Sequence, residues 1–409
     1  MWSLLVPFVY SSLFVSHGHG TTSVMTGKSQ VLIHNTVYDC SDAVSYHLGT
    51  FPPHKLELER LVMPLTDTAM ALARYDTLLR SLPNSELLLA PLRARDAVIS
   101  SRMEGTISTL EEVLRLEADA TEQELSQTAR NDTLEVALYA RALKQAERQI
   151  ADGFPISSHL IRGAHKTLLS FGRGAKSRPG EYKSEQNYIG DRRQRRIDFI
   201  PVAPEQLGPG MEALVRYIAD TTIQPLLKTA IAHAEFEALH PFDDGNGRLG
   251  RMLITLMLWD NQVLGAPHFF VSDYFEQHKD AYIERLRAVS AEADWTGWCV
   301  FFLNALQAQA NANIDIVGQI QTLYDEMRDR FRDLLRSRWS VDALNYIFAN
   351  PIFRNNRFTR DAGIPKPTAN GFTNRLVEAG LLEVLIPPAG RAPGLYAFRP
   401  LLNILQEPN

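Results

Sequence analysis

From Lys55 apolar residues return at helical spacing (Leu58, Leu61, Val62, Leu65, Ala69, Leu72) as far as Leu82, which predicts an amphipathic helix stopped by Pro83-Asn84. The same period predicts helices over Leu87–Ser101, Ile107–Ala118, Thr128–Gln149 and Ser157–Leu169, with Ser and Thr placed to cap them. Further helical patterns cover Pro209–Ala219, Pro225–Leu239, Leu249–Gln262, Tyr274–Ala288 and a long run from Trp295 to about Trp339. The chain therefore reads as mainly α. The exception is Arg173–Pro204, punctuated by Gly174 and Pro179-Gly180, where Asn187–Gly190 and Ile197–Ile200 flank Asp191-Arg192-Arg193-Gln194-Arg195-Arg196. That pattern predicts a β-hairpin with a basic tip, although the charge run taken alone would read as a solvated loop. Beyond Val341 the character changes. Short helices at Val341–Phe348 and Thr359–Ala362, another from Pro367 to Glu378, and two strands around Pro387-Pro388-Ala389-Gly390 predict a helix-turn-helix with a wing.

Composition narrows the class without changing this picture. The chain has 409 residues, 45% of them hydrophobic and 22% charged, with a formal net charge of -5, which describes a soluble globular protein of two or three domains. Cys40 and Cys299 stand far apart and outside any CxxC pattern, so neither a disulfide framework nor a zinc site is indicated, and a reducing, cytoplasmic setting fits. A sequence pI of about 6.1 confines any nucleic-acid role to one module. Met1–Val15 is apolar and resembles a secretory signal, yet its start carries no Lys or Arg and Pro7 interrupts it. Residues 1–37 are read instead as an irregular extension, and no stretch reaches membrane-spanning length without charges.

The densest chemistry lies in His240-Pro241-Phe242-Asp243-Asp244-Gly245-Asn246-Gly247-Arg248-Leu249-Gly250-Arg251, between two predicted helices. Gly245 and Gly247 allow positive φ and close backbone approach, so successive N–H groups can form an anion-binding nest. A helix starting near Arg248 adds its N-terminal field, and Arg248 and Arg251 lie on one face to hold phosphate oxygens. Asp244 is a hard oxygen ligand suited to Mg²⁺ shared with phosphates. His240 can take a proton near neutral pH. Together these groups describe a site for phosphoryl or nucleotidyl transfer. The plainer alternative, a Gly-rich turn with charged neighbours, would suit a lone Gly-Asn-Gly.

This run resembles the motif HxFx(D/E)GNGRxxR of the Fic family, and every specified position is met. The resemblance extends over about Tyr38–Leu303 and implies a Fic helical core with a β-hairpin flap, while the C-terminal region looks like the winged helix appended to many members. It implies an irregular extension to residue 37, an N-terminal helical region over 38–125, a catalytic core over 126–310, a connecting helix over 311–340 and a winged helix over 341–409. The implied activity is protein adenylylation, the transfer of AMP from ATP to a Tyr, Thr or Ser hydroxyl of a target or of the chain itself. In that frame His240 is the base and Asp244 holds Mg²⁺. Asn246 and the N–H groups of Gly245, Gly247 and Arg248 stabilise the transferring group, while Arg251 reaches the γ-phosphate. Asn187, Tyr188, Ile189 and Gly190 belong to the flap, on which a target pairs as a strand. Adenine is expected beside Tyr274 or Tyr282, although Tyr282-Ile283 replaces the pair of tyrosines common in the family. Trp295 and Trp298 read as core.

Ser100-Ser101-Arg102-Met103-Glu104-Gly105 matches the family's inhibitory motif, (S/T)xxxE(G/N). Without the Fic motif it would be an ordinary helix end closed by Gly105. With it, Glu104 is expected to pair with Arg251 and deprive the γ-phosphate of its partner, with Ser100 bracing the segment. In some members such a glutamate also orients water to remove AMP, and the sequence leaves the two directions open. Some relatives transfer phosphate or phosphocholine; the intact Gly245-Asn246-Gly247-Arg248 favours AMP. The competing class is a DNA-binding regulator acting through Pro351–Phe398, for which Arg354, Arg357, Arg360, Lys366 and Arg375 are available. Homodimers are compatible with the family, whereas the target and modified side chain are not written in the sequence.

Overall fold

The computed structural model describes residues 11–13, 24–27, 29–33, 35–82, 85–119, 131–171, 175, 177–390 and 392–406. Most of Met1–Val15, Pro83-Asn84, Gly174 and the expected helix start at Thr128 lie outside these. Short strands open the chain: β1 (Ser11–Leu13), β2 (Val24–Gly27), β3 (Gln30–Ile33), β4 (Thr36–Asp39) and β5 (Val44–Ser45). The helices α1 (Leu58–Ser81), α2 (Ser85–Met103), α3 (Leu110–Asp119), α4 (Asn131–Ala151) and α5 (Ser158–Leu168) follow. The hairpin β6 (Tyr188–Asp191) and β7 (Arg196–Ile200) separates them from α6 (Pro204–Ala219), α7 (Pro225–Leu239), α8 (Asn246–Asp260), α9 (Ser272–Gln277), α10 (Lys279–Glu292) and α11 (Trp295–Leu335). The C-terminal unit is α12 (Ser340–Ala349), β8 (Ile352–Arg354), α13 (Asn355–Asp361), α14 (Lys366–Glu378), β9 (Glu383–Ile386), β10 (Leu395–Ala397) and α15 (Arg399–Gln406).

Local chemistry sets several of these boundaries. Ser157 caps α5 by accepting from the Leu160 amide, Gln224 does the same for Leu227 at the start of α7, and Asp294 holds the Gly297 amide at the start of α11. α7 and α8 are buried almost all round, and such helices belong at the centre of a bundle. α11 runs for 41 residues alongside α1 and places Trp298 beneath α7, where its Nε1 donates to the Ala230 carbonyl at 2.7 Å. Trp295 and Trp298 are both core, as their setting in the sequence suggested.

Three expectations need correction. Within residues 24–39 the chain is not irregular: β2, β3 and β4 form a meander whose last strand lies parallel to β7, with Asp39 opposite Arg196. The apolar alternation that seats it is short, with Val31, Ile33 and Tyr38 packing on Tyr188 and Ile197 of the hairpin. The helix expected over Tyr274–Ala288 is two helices meeting at His278, whose φ of -115° and ψ of 34° break the run. The helix after the motif starts at Asn246, directly from Gly245 in the left-handed region at φ 78°, rather than near Arg248.

One apolar core runs from α1 through the bundle to α15, so it crosses the boundary expected at residue 340 without interruption. α12 packs on α2 and β8 packs on α3. Polar ties join the same surfaces: Arg354 pairs with Asp119 at 2.5 Å and Arg399 with Glu111 at 2.8 Å.

Candidate active site

The motif forms a tight loop between α7 and α8. His240 closes α7 in the left-handed region, at φ 45° and ψ 62°, and Gly245 turns the chain back at φ 78°. Asn246 welds the loop shut: its Oδ1 accepts from the Phe242 amide at 2.9 Å and its Nδ2 donates to the Phe242 carbonyl at 2.8 Å. Both ends of this amide are thus spent on the loop rather than held out toward a ligand. Gly247 is not at positive φ; it lies inside α8, and its missing side chain serves another purpose. A Cβ there would stand 2.2 Å from Glu104 Oε1.

Residues outside the His240–Arg251 run hold the loop from behind. Asn187, at the foot of the flap, is buried and donates from Nδ2 to the carbonyls of His240 and Phe242, each at 3.1 Å. Lys183 donates from Nζ to Asn187 Oδ1 at 2.7 Å and to the Leu239 carbonyl at 3.1 Å. His165 stacks on Phe242 at 3.7 Å, accepts from the Gly180 amide at Nδ1 and donates from Nε2 to the Asp244 carbonyl at 2.9 Å. These residues precede the motif by a long stretch of chain and share no spacing with it. Asn187 was expected in the flap, and neither Lys183 nor His165 carried a signal in the sequence.

Burial governs the charge state of His240. It drives the His240 imidazole down to about 3, with the Lys183 ammonium adding to the effect and Glu104 opposing it. His240 is therefore neutral at physiological pH and able to accept a proton. Burial likewise lowers Lys183 to about 7.

The guanidinium of Arg251, 3% exposed, is gripped by the end of α2. Its Nε donates to Ser100 Oγ at 2.9 Å, and its Nη2 donates to the Ser100 carbonyl and to Glu104 Oε1, both at 2.8 Å. Burial would raise the Glu104 carboxyl, but Arg251, Arg248 and Lys279 outweigh it and hold the group below its ordinary range. Ser100 thus touches the arginine directly, a closer role than bracing a helix. Arg248 is also buried, 3.5 Å from Asp244 Oδ1 and 3.8 Å from Glu135, and its Nε and Nη1 have no hydrogen-bond partner.

A cavity of about 490 Å³ opens between the motif, the end of α2, the flap and α10, with His240, Glu104, Gly247, Arg251, Ile189 and Tyr282 in its wall. Of Asn187, Tyr188, Ile189 and Gly190 only Ile189 faces it, joined by Asp198 and Phe199 of β7. Tyr188 is buried in the small core beneath the flap, and Gly190 is required because a Cβ there would stand 2.1 Å from the Arg196 carbonyl. Tyr282 lines the cavity, with its hydroxyl 2.8 Å from His233 Nε2. Tyr274 is not in that wall; it stacks on His278 at 4.0 Å, and its expected place beside adenine is not met. Asp244 keeps 27% of its side chain exposed, and its Oδ1 accepts from the Gly245 amide at 2.6 Å. Among the described residues no cluster of three or more acidic, His or Cys side chains could hold a metal alone.

A left-handed histidine, a glycine-turned loop at a helix N-terminus and the buried Arg251 thus meet at one cavity, with Arg248 buried beside the loop. The Fic/DOC family model matches residues 155–258 and the Fic/DOC N-terminal model residues 62–148. The chain is a Fic-domain protein. It is 33% identical over 106 residues to protein adenylyltransferase fic-1 of Caenorhabditis elegans, a span of 25% of this chain and 19% of that protein. It is 27% identical over 188 residues to a probable protein adenylyltransferase of Aquifex aeolicus, covering 45% of this chain and 53% of the relative. The matched region thus spans about a fifth of the nematode protein and about half of the bacterial one. A Fic family protein from Desulfovibrio desulfuricans shares the fold at TM-score 0.54 and 21% identity, over 85% of this chain and 98% of that one.

Proposed function

We propose that the chain is a protein adenylyltransferase that moves AMP from ATP onto a Tyr, Thr or Ser hydroxyl of a target protein or of itself. The observation that carries this reading is the neutral, buried His240 sharing one cavity wall with Arg251. His240 takes the proton of the incoming hydroxyl. The freed oxygen attacks the α-phosphorus, a new P–O bond forms, and the bond to the β-phosphate breaks to release pyrophosphate. The unpartnered donors of Arg248 and the guanidinium of Arg251 supply charge to the phosphates, the latter once Glu104 has left it. One carboxylate plus phosphate oxygens and water is the donor set that suits Mg²⁺, so Asp244 would hold the ion, which neutralises phosphate charge. The target would lie along the flap near Ile189, in the place where β1 now pairs with β6 (Ser12 opposite Ile189), so β1 would have to give way to it.

Glu104 in this reading is a brake, and the ion pair at 2.8 Å supports it. A glutamate so placed can also direct water at an AMP ester, so removal of AMP by the same site remains part of the proposal. The alternative reading as a DNA-binding regulator has less support. The order of β8, α13, α14, β9 and β10 suits a winged helix. However, Arg354 is tied to Asp119, Arg357 to the Glu117 carbonyl, Arg360 to Asp361 and Arg375 to the Leu335 carbonyl. Among the described residues no helix is long and apolar enough to cross a membrane.

Labelled ATP tests the assignment. Transfer from α-labelled but not γ-labelled ATP is expected, and His240→Ala should abolish it, a loss of at least about a hundredfold, while ATP still binds. Label carried from the γ-position, or near-normal transfer by His240→Ala, would contradict the proposal.

A further inference from the structure

Glu237 lies one turn before His240 on α7 and takes no part in the steps above. Its side chain is partly buried and lines the same cavity as His240 and Arg251. Its Oε1 is sealed from solvent and has no hydrogen-bond partner. The space for this carboxyl is made by Gly250, since a Cβ there would stand 2.2 Å from Glu237 Oε1. Gly247 makes room for Glu104 in the same way, one turn earlier on α8. Two glycines on one face of α8 thus admit two carboxyls beside Arg251. Glu104 is satisfied by that arginine, whereas Glu237 keeps an unsatisfied oxygen, which in a native structure calls for a ligand or another partner.

The position of Glu237 along the cavity suggests which part of a nucleotide meets it. Ala234, Glu237 and Ala238 recur at helical spacing along the cavity side of α7, leading back from His240 at the phosphate end. α10 brings Tyr282, Ile283 and Leu286 to the cavity wall among the charged Lys279, Asp280, Glu284 and Arg287, and the first three offer a surface for a base. Glu237 stands between the two ends, where the sugar of a nucleotide must pass. A carboxyl is the group that commonly reads sugar hydroxyls in nucleotide sites.

We propose that Glu237 is a specificity residue that hydrogen-bonds the 2′- and 3′-hydroxyls of the bound nucleotide and so selects ribonucleotides. Burial pushes its carboxyl up to about 8, against the opposing pull of Arg251. A neutral acid can both donate and accept toward a diol and does not repel neighbouring phosphates as a carboxylate would. The role rests on the nucleotide-binding reading of the cavity, but not on the identity of the group transferred.

The test is equilibrium binding of ATP, 2′-deoxyATP and 3′-deoxyATP to the full chain, in a Glu104→Gly background that frees Arg251. The parent should bind at least one deoxy analogue about tenfold or more weakly than ATP, as expected when a buried polar group loses its partner. Glu237→Ala should bring ATP and both analogues to within about twofold of one another. Glu237→Gln, closest in shape, should retain part of the discrimination, and its thermal melting reports whether the fold is kept. Discrimination undiminished in Glu237→Ala, no discrimination in the parent, or no ATP binding by the parent would overturn the proposal. A change confined to ATP against GTP would also overturn it by moving Glu237 to the base. Intact sugar selection without AMP transfer would instead sink only the adenylyltransferase reading.

Discussion

Arg251 shows how much of this site depends on which neighbour a single side chain keeps. Its guanidinium is buried among Ser100, Glu104, Glu237 and Tyr282, and these charges and partners raise its affinity for the proton beyond the ordinary arginine range despite burial. A buried cation must be paired, and here the partner is carried by another helix, so an incoming phosphate must displace a carboxylate rather than water. The histidines follow the opposite logic. Burial lowers His165 to about 4 and both His233 and His240 to about 3, all below their ordinary value of 6.5. The folded state refuses a proton that the unfolded chain accepts, so stability from each is complete above about pH 6.5 and is lost as pH falls toward the folded values. By pH 5 each should have lost about 2 kcal/mol. Glu237, raised to about 8, works in the other direction, losing stability as pH rises from about 4.5 to 8. Urea unfolding at pH 7 and pH 5 should show a stability loss in the wild type that is smaller in His165→Gln. Equal losses in the two proteins would mean that His165 is not held neutral.

The flap matters as a unit because its foot, rather than its tip, is joined to the catalytic loop. β7 is covered on its outer side by β4 and β5, and Asn187 at the start of the hairpin reaches under the loop to hold two carbonyls. The flap foot is thereby tied to the His240 loop, which suits the proposed presentation of a hydroxyl to His240 at fixed distance. Asn187→Ala would leave the buried carbonyls of His240 and Phe242 and the Lys183 ammonium short of a partner. A stability loss of about 2 kcal/mol and at least about a tenfold fall in transfer are expected. Unfolding and initial-rate measurements on that variant check this, and an unaffected rate would separate the flap foot from catalysis. The hairpin was legible because Gly and Pro bracket two apolar runs. The strands before it were not, because β3 and β4 have four residues each and their apolar alternation is too brief to stand out from irregular chain. The break at His278 was equally hidden, since helical spacing continues through it.

In the whole molecule α2 is the shared part. It packs on α4, on α9 and on α12 of the C-terminal unit, and it ends at Glu104 against Arg251. A change in how any of these three seats α2 would thus act on the Glu104–Arg251 contact. The two motifs could be read in the sequence because each is a local pattern, and the Glu104–Arg251 pairing was expected from the family they resemble. The contacts of Lys183 and His165, and the direct contact of Ser100 with Arg251, could not, because they arise only when distant segments are brought together. The central claim is that Glu104 holds Arg251 away from ATP in a site that otherwise transfers AMP. Mass spectrometry of the purified chain after incubation with ATP and Mg²⁺, wild type beside Glu104→Gly, tests it most directly. The account predicts an AMP adduct on a hydroxyl side chain that is scarce in the wild type and abundant in the variant. No adduct in either protein while ATP binds, or equal labelling of both, would contradict it.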